Sequence, residues 1–179
     1  MSEIASNDYL ECLLKSWSIK PTESQSWLNQ LRSQAIDRVS AQKLPTKRDE
    51  EWRFTDISSL THLPYRPSQS ECALQASDIE HLYLNEAENS LVFVDGHYSP
   101  ELSKIVDQAA LVIGNLPEFL STHSATLECH LGQYATFENN VFSALNTAFL
   151  RDAALILVPK NVSVTRPIHL LFIATQQEV

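Results

Sequence analysis

The sequence predicts an α+β fold, and three observations carry that prediction. Apolar residues recur at helical spacing through the first 41 residues. A short apolar run, Leu91–Val94, leads into an Asp95-Gly96 pair. A late helical pattern at 135–150 precedes two apolar runs, Ala153–Val158 and Ile168–Ala174. Helices gathered in one stretch and strands in another define α+β rather than an alternating α/β chain. The last stretch reads as the opening of a repetitive β structure.

Taken in order, Tyr9, Leu10, Leu13, Leu14 and Trp17 place a first helix over 8–17. Pro21 interrupts the chain, and Thr22 with Glu23 supplies an N-cap hydroxyl and an acidic first turn. Leu28, Leu31, Ala35 and Val39 then share one face of a second helix over 23–41, and the pair is expected to form a helical hairpin. Thr46 and Asp49 have the spacing of a helix start, so a short helix is expected through residue 54, with a turn at Thr55-Asp56. The prolines and polar residues of 61–77 mark a loop and the best internal boundary, after which Ser77-Asp78 opens a helical turn.

Leu91–Val94 is a strand. Asp95-Gly96 is a hairpin signal, because both central positions of a type I′ turn need positive φ. His97-Tyr98 begins the return, and Ser99-Pro100-Glu101 has the pattern of a helix cap with proline at the first helical position. Leu111–Ile113 is a strand ended by Gly114-Asn115, and 116–131 is partly helical. Phe142, Leu145, Ala148 and Phe149 share a face of the 135–150 helix. The two continuous apolar runs that follow, separated by a turn at Pro159–Asn161, suit strands covered on both faces.

Composition narrows the function. The chain has 179 residues and a formal net charge of −9. That balance argues against nucleic acid, whose phosphates call for clustered Lys and Arg, and against an anionic membrane surface. No apolar run nears the roughly 20 residues of a membrane span, and the N-terminus lacks the basic start and apolar core of a signal peptide. A cytoplasmic protein is expected. The glycines, Gly96, Gly114 and Gly132, write neither a dinucleotide-binding fingerprint nor a P-loop. Cys12, Cys72 and Cys129 are odd in number and widely spaced, which fits free thiols.

Three groups of residues carry candidate chemistry. Asp95, His97 and Ser99 are the residue types of a hydrolase triad, but no nucleophile elbow accompanies them, and a turn followed by a cap explains them locally. Cys129-His130, with His123, offers metal-ligand types without the closely spaced cysteine pairs of zinc or iron–sulfur sites; a buried or partly buried thiol is the simpler reading. No catalytic, cofactor-binding or metal residue is therefore assigned. Trp52, Arg53 and Phe54 combine residue types enriched in binding hot spots and form a candidate interaction patch, but packing of both rings against the helical hairpin is the simpler reading.

Leu44-Pro-Thr-Lys-Arg-Asp-Glu-Glu-Trp-Arg-Phe-Thr-Asp-Ile57 resembles the N-terminal signature of SufD-type members of the SufB/SufD family of iron–sulfur cluster assembly proteins. Val92-Phe-Val-Asp-Gly-His-Tyr-Ser99 resembles a second segment of that family. Ala144–Phe149, Ile156–Lys160 and Arg166–Leu170 resemble its helix and first β-helix strands. Together these pieces cover most of the chain after residue 43.

The resemblance implies a non-enzymatic assembly component, working with SufB-like and SufC-like proteins, the latter an ATPase. It also implies a right-handed parallel β-helix starting near residue 152. The expected organisation is a helical hairpin region at 1–60, a mixed α/β region at 78–151 and the first strands of a truncated β-helix at 152–179. Members of the family are longer, so an N-terminal fragment is expected. No cofactor is then held by this fragment, any cluster or iron ligands lie beyond Val179, and the last strand has an unpaired edge.

Overall fold

The computed structural model describes residues 3–15, 26–62, 74–106 and 111–175. Trp17, the Pro21–Glu23 helix start, Pro64, Pro67 and Cys72 lie outside them. Within the described residues the chain mixes helices with small open sheets, so α+β is the observed class. Contacts group it into two units, neither continuous in sequence. One joins Met1–Pro67 with Ala125–Leu150; the other joins Ser68–Ser124 with Arg151–Gln177.

The first unit is helical. Helix α1 (Glu3–Lys15) packs on α2 (Ser26–Ala41), and α5 (Ser124–His130) and α6 (Val141–Ala148) follow much later in the chain. Leu10, Ala35 and Val39 meet Val141, Ala144 and Ala148 in one core, with Leu44 and Phe137 at its margin. Alanines on both α2 and α6 keep the contact surface shallow, so the ridges of one helix can approach the other closely. The α6 pattern proves shorter than the span 135–150. Asn140 caps the helix, its side chain accepting from the Phe142 and Ser143 amides at 3.0 and 3.1 Å. The loop before it turns at Gly132, whose φ is +77° and whose missing Cβ leaves room for Leu31.

The α2 face contains one residue that periodicity did not select. Arg32 is only 6 % exposed. Its Nε and Nη2 donate to the Leu150 carbonyl at 3.0 and 2.6 Å, just past the end of α6. A cation at that end of a helix meets carbonyls with no intrahelical partner.

The second unit is built around β1 (Asn89–Val94), the middle strand of a three-stranded sheet with β2 (His97–Tyr98) on one side and β5 (Ile168–Ile173) on the other. The hairpin forms as the sequence predicts: Asp95 and Gly96 have φ of 48° and 84°, and Val94 pairs with His97 of β2 (His97–Tyr98). On its other edge β1 pairs in parallel with β5 (Ile168–Ile173), Asn89 opposite Ile168. One face of β1 packs Val92 and Val94 against Ile79 of α3 (Ala76–Ile79), Leu102, Leu171 and Ile173. The opposite face packs Leu91 and Phe93 against Leu111, Ile113 and Ile168. A separate antiparallel ribbon pairs β3 (Val112–Asn115) with β4 (Ala154–Leu157). Asn115 ends β3 by capping α4 (Leu116–Thr122), accepting from the Glu118 amide at 3.3 Å.

Two expectations are corrected here. Ser99-Pro100 opens a single turn and not a helix, because its residues are drawn to β1. The Ser103 hydroxyl accepts from the Val92 amide at 2.9 Å, and Ser90 and Lys104 exchange backbone bonds of 2.7 and 2.8 Å. Nor are the late apolar strands covered on both faces. Ile156, Val158, Leu170 and Phe172 are exposed, and Phe172 stays 65 % exposed although its ring stacks on Phe93. Among the described residues β5 is an edge strand with no layer over its Leu170–Phe172 side.

Candidate interaction site

Residues 44–57 leave the helical core and return to it. Leu44 is buried at one end, and Ile57 packs on the same core at the other. Between them the chain makes a series of tight turns, and the short helix expected through residue 54 is a single 3-10 turn. The Asp49 carboxylate accepts from the Thr46 amide at 2.7 Å and its hydroxyl at 3.1 Å, while the Asp49 amide donates to the Thr46 carbonyl at 2.9 Å. These bonds close the turn on itself, and only a 3-10 turn, Glu50–Trp52, follows. The Asp56 carboxylate then accepts from the Ser58 amide at 3.0 Å and pairs with Lys47 at 2.7 Å, tying the two ends of the segment together.

These bonds shift both acids. Hydrogen bonds from the Thr46 backbone and then its side chain lower the Asp49 pKa. The Lys47 ammonium, followed by Ser58, holds Asp56 well below the usual carboxylate range.

Trp52, Arg53 and Phe54 occupy the apex of this segment and are treated differently by it. Trp52 is half-buried, its ring 5.4 Å from that of Phe142 on α6. Phe54 is 93 % exposed, and the Arg53 guanidinium lies over its ring at 5.5 Å. The arrangement is an anchored indole presenting a cation-capped phenyl ring, a geometry suited to recognition.

The other candidates find local uses. Both Asp95 carboxylate oxygens bond Thr175, accepting from its amide at 2.8 Å and its hydroxyl at 2.5 Å. Ser99 Oγ donates to Glu101 at 3.4 Å, and His97 lies on β2 opposite Val94. Cys12 and Cys129 are free thiols and both exposed, which corrects the partly buried reading of Cys129. His123 Nδ1 bonds Thr122 and His130 Nδ1 bonds Tyr134. Among the described residues no three His, Cys, Asp or Glu side chains gather in a metal-binding group.

Sequence reasoning passed over Asp152. Its carboxylate accepts from the Tyr98, Leu116 and Ala153 amides and from Asn115 Nδ2, at 3.2, 3.1, 2.9 and 3.2 Å. It thereby joins β2, the start of α4 and the approach to β4. The only signal in sequence was an isolated acid immediately before an apolar run.

Residues 44–57, rooted in the helical core and presenting Phe54, are the most exposed aromatic feature of the described residues. The chain belongs to the SufBD family: residues 4–170 match the family described as SufBD protein N-terminal region. It is 37 % identical over 166 residues to an iron–sulfur cluster assembly SufBD family protein of Synechocystis sp., covering 92 % of this chain and 36 % of that protein. It is 24 % identical over 169 residues to the iron–sulfur cluster assembly protein SufD of Bacillus subtilis, covering 89 % of this chain and 38 % of that one. The chain thus spans little more than a third of the length of these curated relatives.

Proposed function

We propose that the protein is a non-enzymatic component of iron–sulfur cluster assembly, acting in the cytoplasm with a SufB-like protein and a SufC-like ATPase. The observation that carries this reading is the family match over residues 4–170, together with relatives named for cluster assembly. No helix of the described residues is long and apolar enough to cross a membrane, which is consistent with the compartment. The segment supplies binding surface and positioning; cluster or iron ligands belong to parts of the complete protein outside these 179 residues.

The same reading continues the late strands into a right-handed parallel β-helix. Three features support it. β5 already pairs in parallel with β1, its second edge is unpaired among the described residues, and Leu170 and Phe172 await a covering layer. An exposed flat apolar edge of this kind ordinarily aggregates unless something pairs with it.

The test is reconstitution. The complete protein, mixed under reducing conditions with purified SufB-like and SufC-like proteins, should elute as one complex by size-exclusion chromatography with light scattering. Separate elution of all components at micromolar concentration would overturn the proposal.

A further inference from the structure

The structure divides the Trp52–Phe54 triplet into an anchor and a probe. We propose that Phe54, with Arg53 on its ring, inserts into an apolar pocket with a carboxylate on its rim, on a protein partner of the assembly complex. The inference rests on the assembly reading above and adds the surface that makes the contact.

Four observations carry it. Phe54 is the most exposed large apolar side chain of the described residues, at 93 %, and it stands outside all the apolar core clusters. Its backbone is fixed on both sides before any partner arrives: the Thr46–Asp49 turn, the Lys47–Asp56 ion pair and the Asp56–Ser58 turn enclose it. Trp52, two residues away, is held by Phe142, and Leu44 and Ile57 root the segment in the core. An aromatic ring presented on a pre-ordered backbone loses little conformational freedom on binding, which is what a hot-spot residue requires.

The fourth observation is charge. Lys47 is already paired with Asp56, whereas Arg53 forms no ion pair among the described residues. Glu50 and Glu51 are exposed in the preceding turn, so the segment as a whole is not basic. The complementarity is local to the ring. A pocket that takes Phe54 must also receive the guanidinium lying over it, and a rim carboxylate does so with two parallel hydrogen bonds.

The experiment compares the complete wild-type protein with Phe54→Ala, Arg53→Met and Tyr134→Ala, by titration calorimetry against purified SufB-like and SufC-like proteins. Tyr134 is a second exposed aromatic, at 79 %, and serves as the control for generic loss of surface area. Phe54→Ala should weaken binding of one partner by about tenfold or more with an unchanged Tm, as expected of a hot spot that supports no core packing. Arg53→Met should weaken it less and flatten its dependence on salt, and Tyr134→Ala should leave it within about twofold.

If wild type binds but Phe54→Ala binds equally well, the Phe54 contact is wrong while the assembly reading stands. If Phe54→Ala changes only self-association in light scattering, the occupant is a second copy and the proposal is overturned. If wild type binds neither partner, the assembly reading fails and takes this contact with it.

Discussion

The two contact units solve one problem with opposite charges. Each brings together segments far apart in sequence, and each fastens a junction through one ionised side chain bonded to backbone. In the helical unit a cation, Arg32, reaches 118 positions along the chain to a carbonyl just past α6. In the sheet unit an anion, Asp152, gathers amides and a side-chain amide from segments as far as 54 positions away. The settings differ in burial: Arg32 is 6 % exposed, whereas Asp152 is half-buried. A buried charge costs more when stranded, and so does the backbone group it served. The loss on truncation should therefore follow burial and not the number of bonds.

The largest effect is expected at Arg32. Arg32→Ala leaves the Leu150 carbonyl without its guanidinium and opens a void beside α6, and it should lower unfolding free energy by about 2–3 kcal/mol. Asp152→Ala should cost about 1–2 kcal/mol despite removing more bonds, because water can reach the freed amides. Asp152→Asn keeps one acceptor oxygen and should fall between wild type and the alanine variant. Urea denaturation of the three variants decides the ranking. A larger loss at Asp152 than at Arg32 would mean that bond number outweighs burial here.

The comparison also explains what the sequence could disclose. Features governed by neighbours along the chain were legible: the Asp95-Gly96 hairpin, the α2 stripe of Leu28, Ala35 and Val39, and part of the α6 face, where Ala148 is buried while Phe142, Leu145 and Phe149 pack half-buried beside Val141 and Ala144. Arg32 sits four residues after Leu28, on that same stripe, yet its charge reads as solvent-facing until the end of α6 is known to lie there. Asp152 is hidden for the same reason, since all but one of its donors come from two other segments, at Tyr98 and at Asn115-Leu116. The Ser99-Pro100 cap misleads because Ser103 and Lys104 have better partners on β1 than in a second helical turn. At the candidate site the residue types were legible, but the division of labour was not. Trp52 and Phe54 are both aromatic, and only the position of Phe142 separates the anchor from the exposed ring.

A second pair of charged ties, at residues 46–58, extends the comparison to exposed groups and should have the smallest effect. Asp49 has an ordinary pKa of 3.8 and is lowered by bonds from the Thr46 backbone and hydroxyl; Asp56 is lowered further, chiefly by Lys47. A carboxyl whose folded pKa lies below its unfolded value contributes stability that is fully present above the unfolded value. That contribution is lost as pH falls through the folded value. The turn should thus be unaffected above the ordinary value of 3.8 and loosen only below it, Asp49 before Asp56. Solvent screening keeps the accompanying change in global stability small. Carboxyl and amide NMR titration measures this directly: the Thr46 amide should shift with the Asp49 carboxyl at a midpoint below 3.8. Thr46→Val removes the hydroxyl and should raise that midpoint, and Lys47→Met should raise the Asp56 midpoint. An Asp49 midpoint at or above the ordinary value would show that the turn does not hold its carboxylate in solution, and the pre-ordered presentation of Phe54 would lose one of its supports.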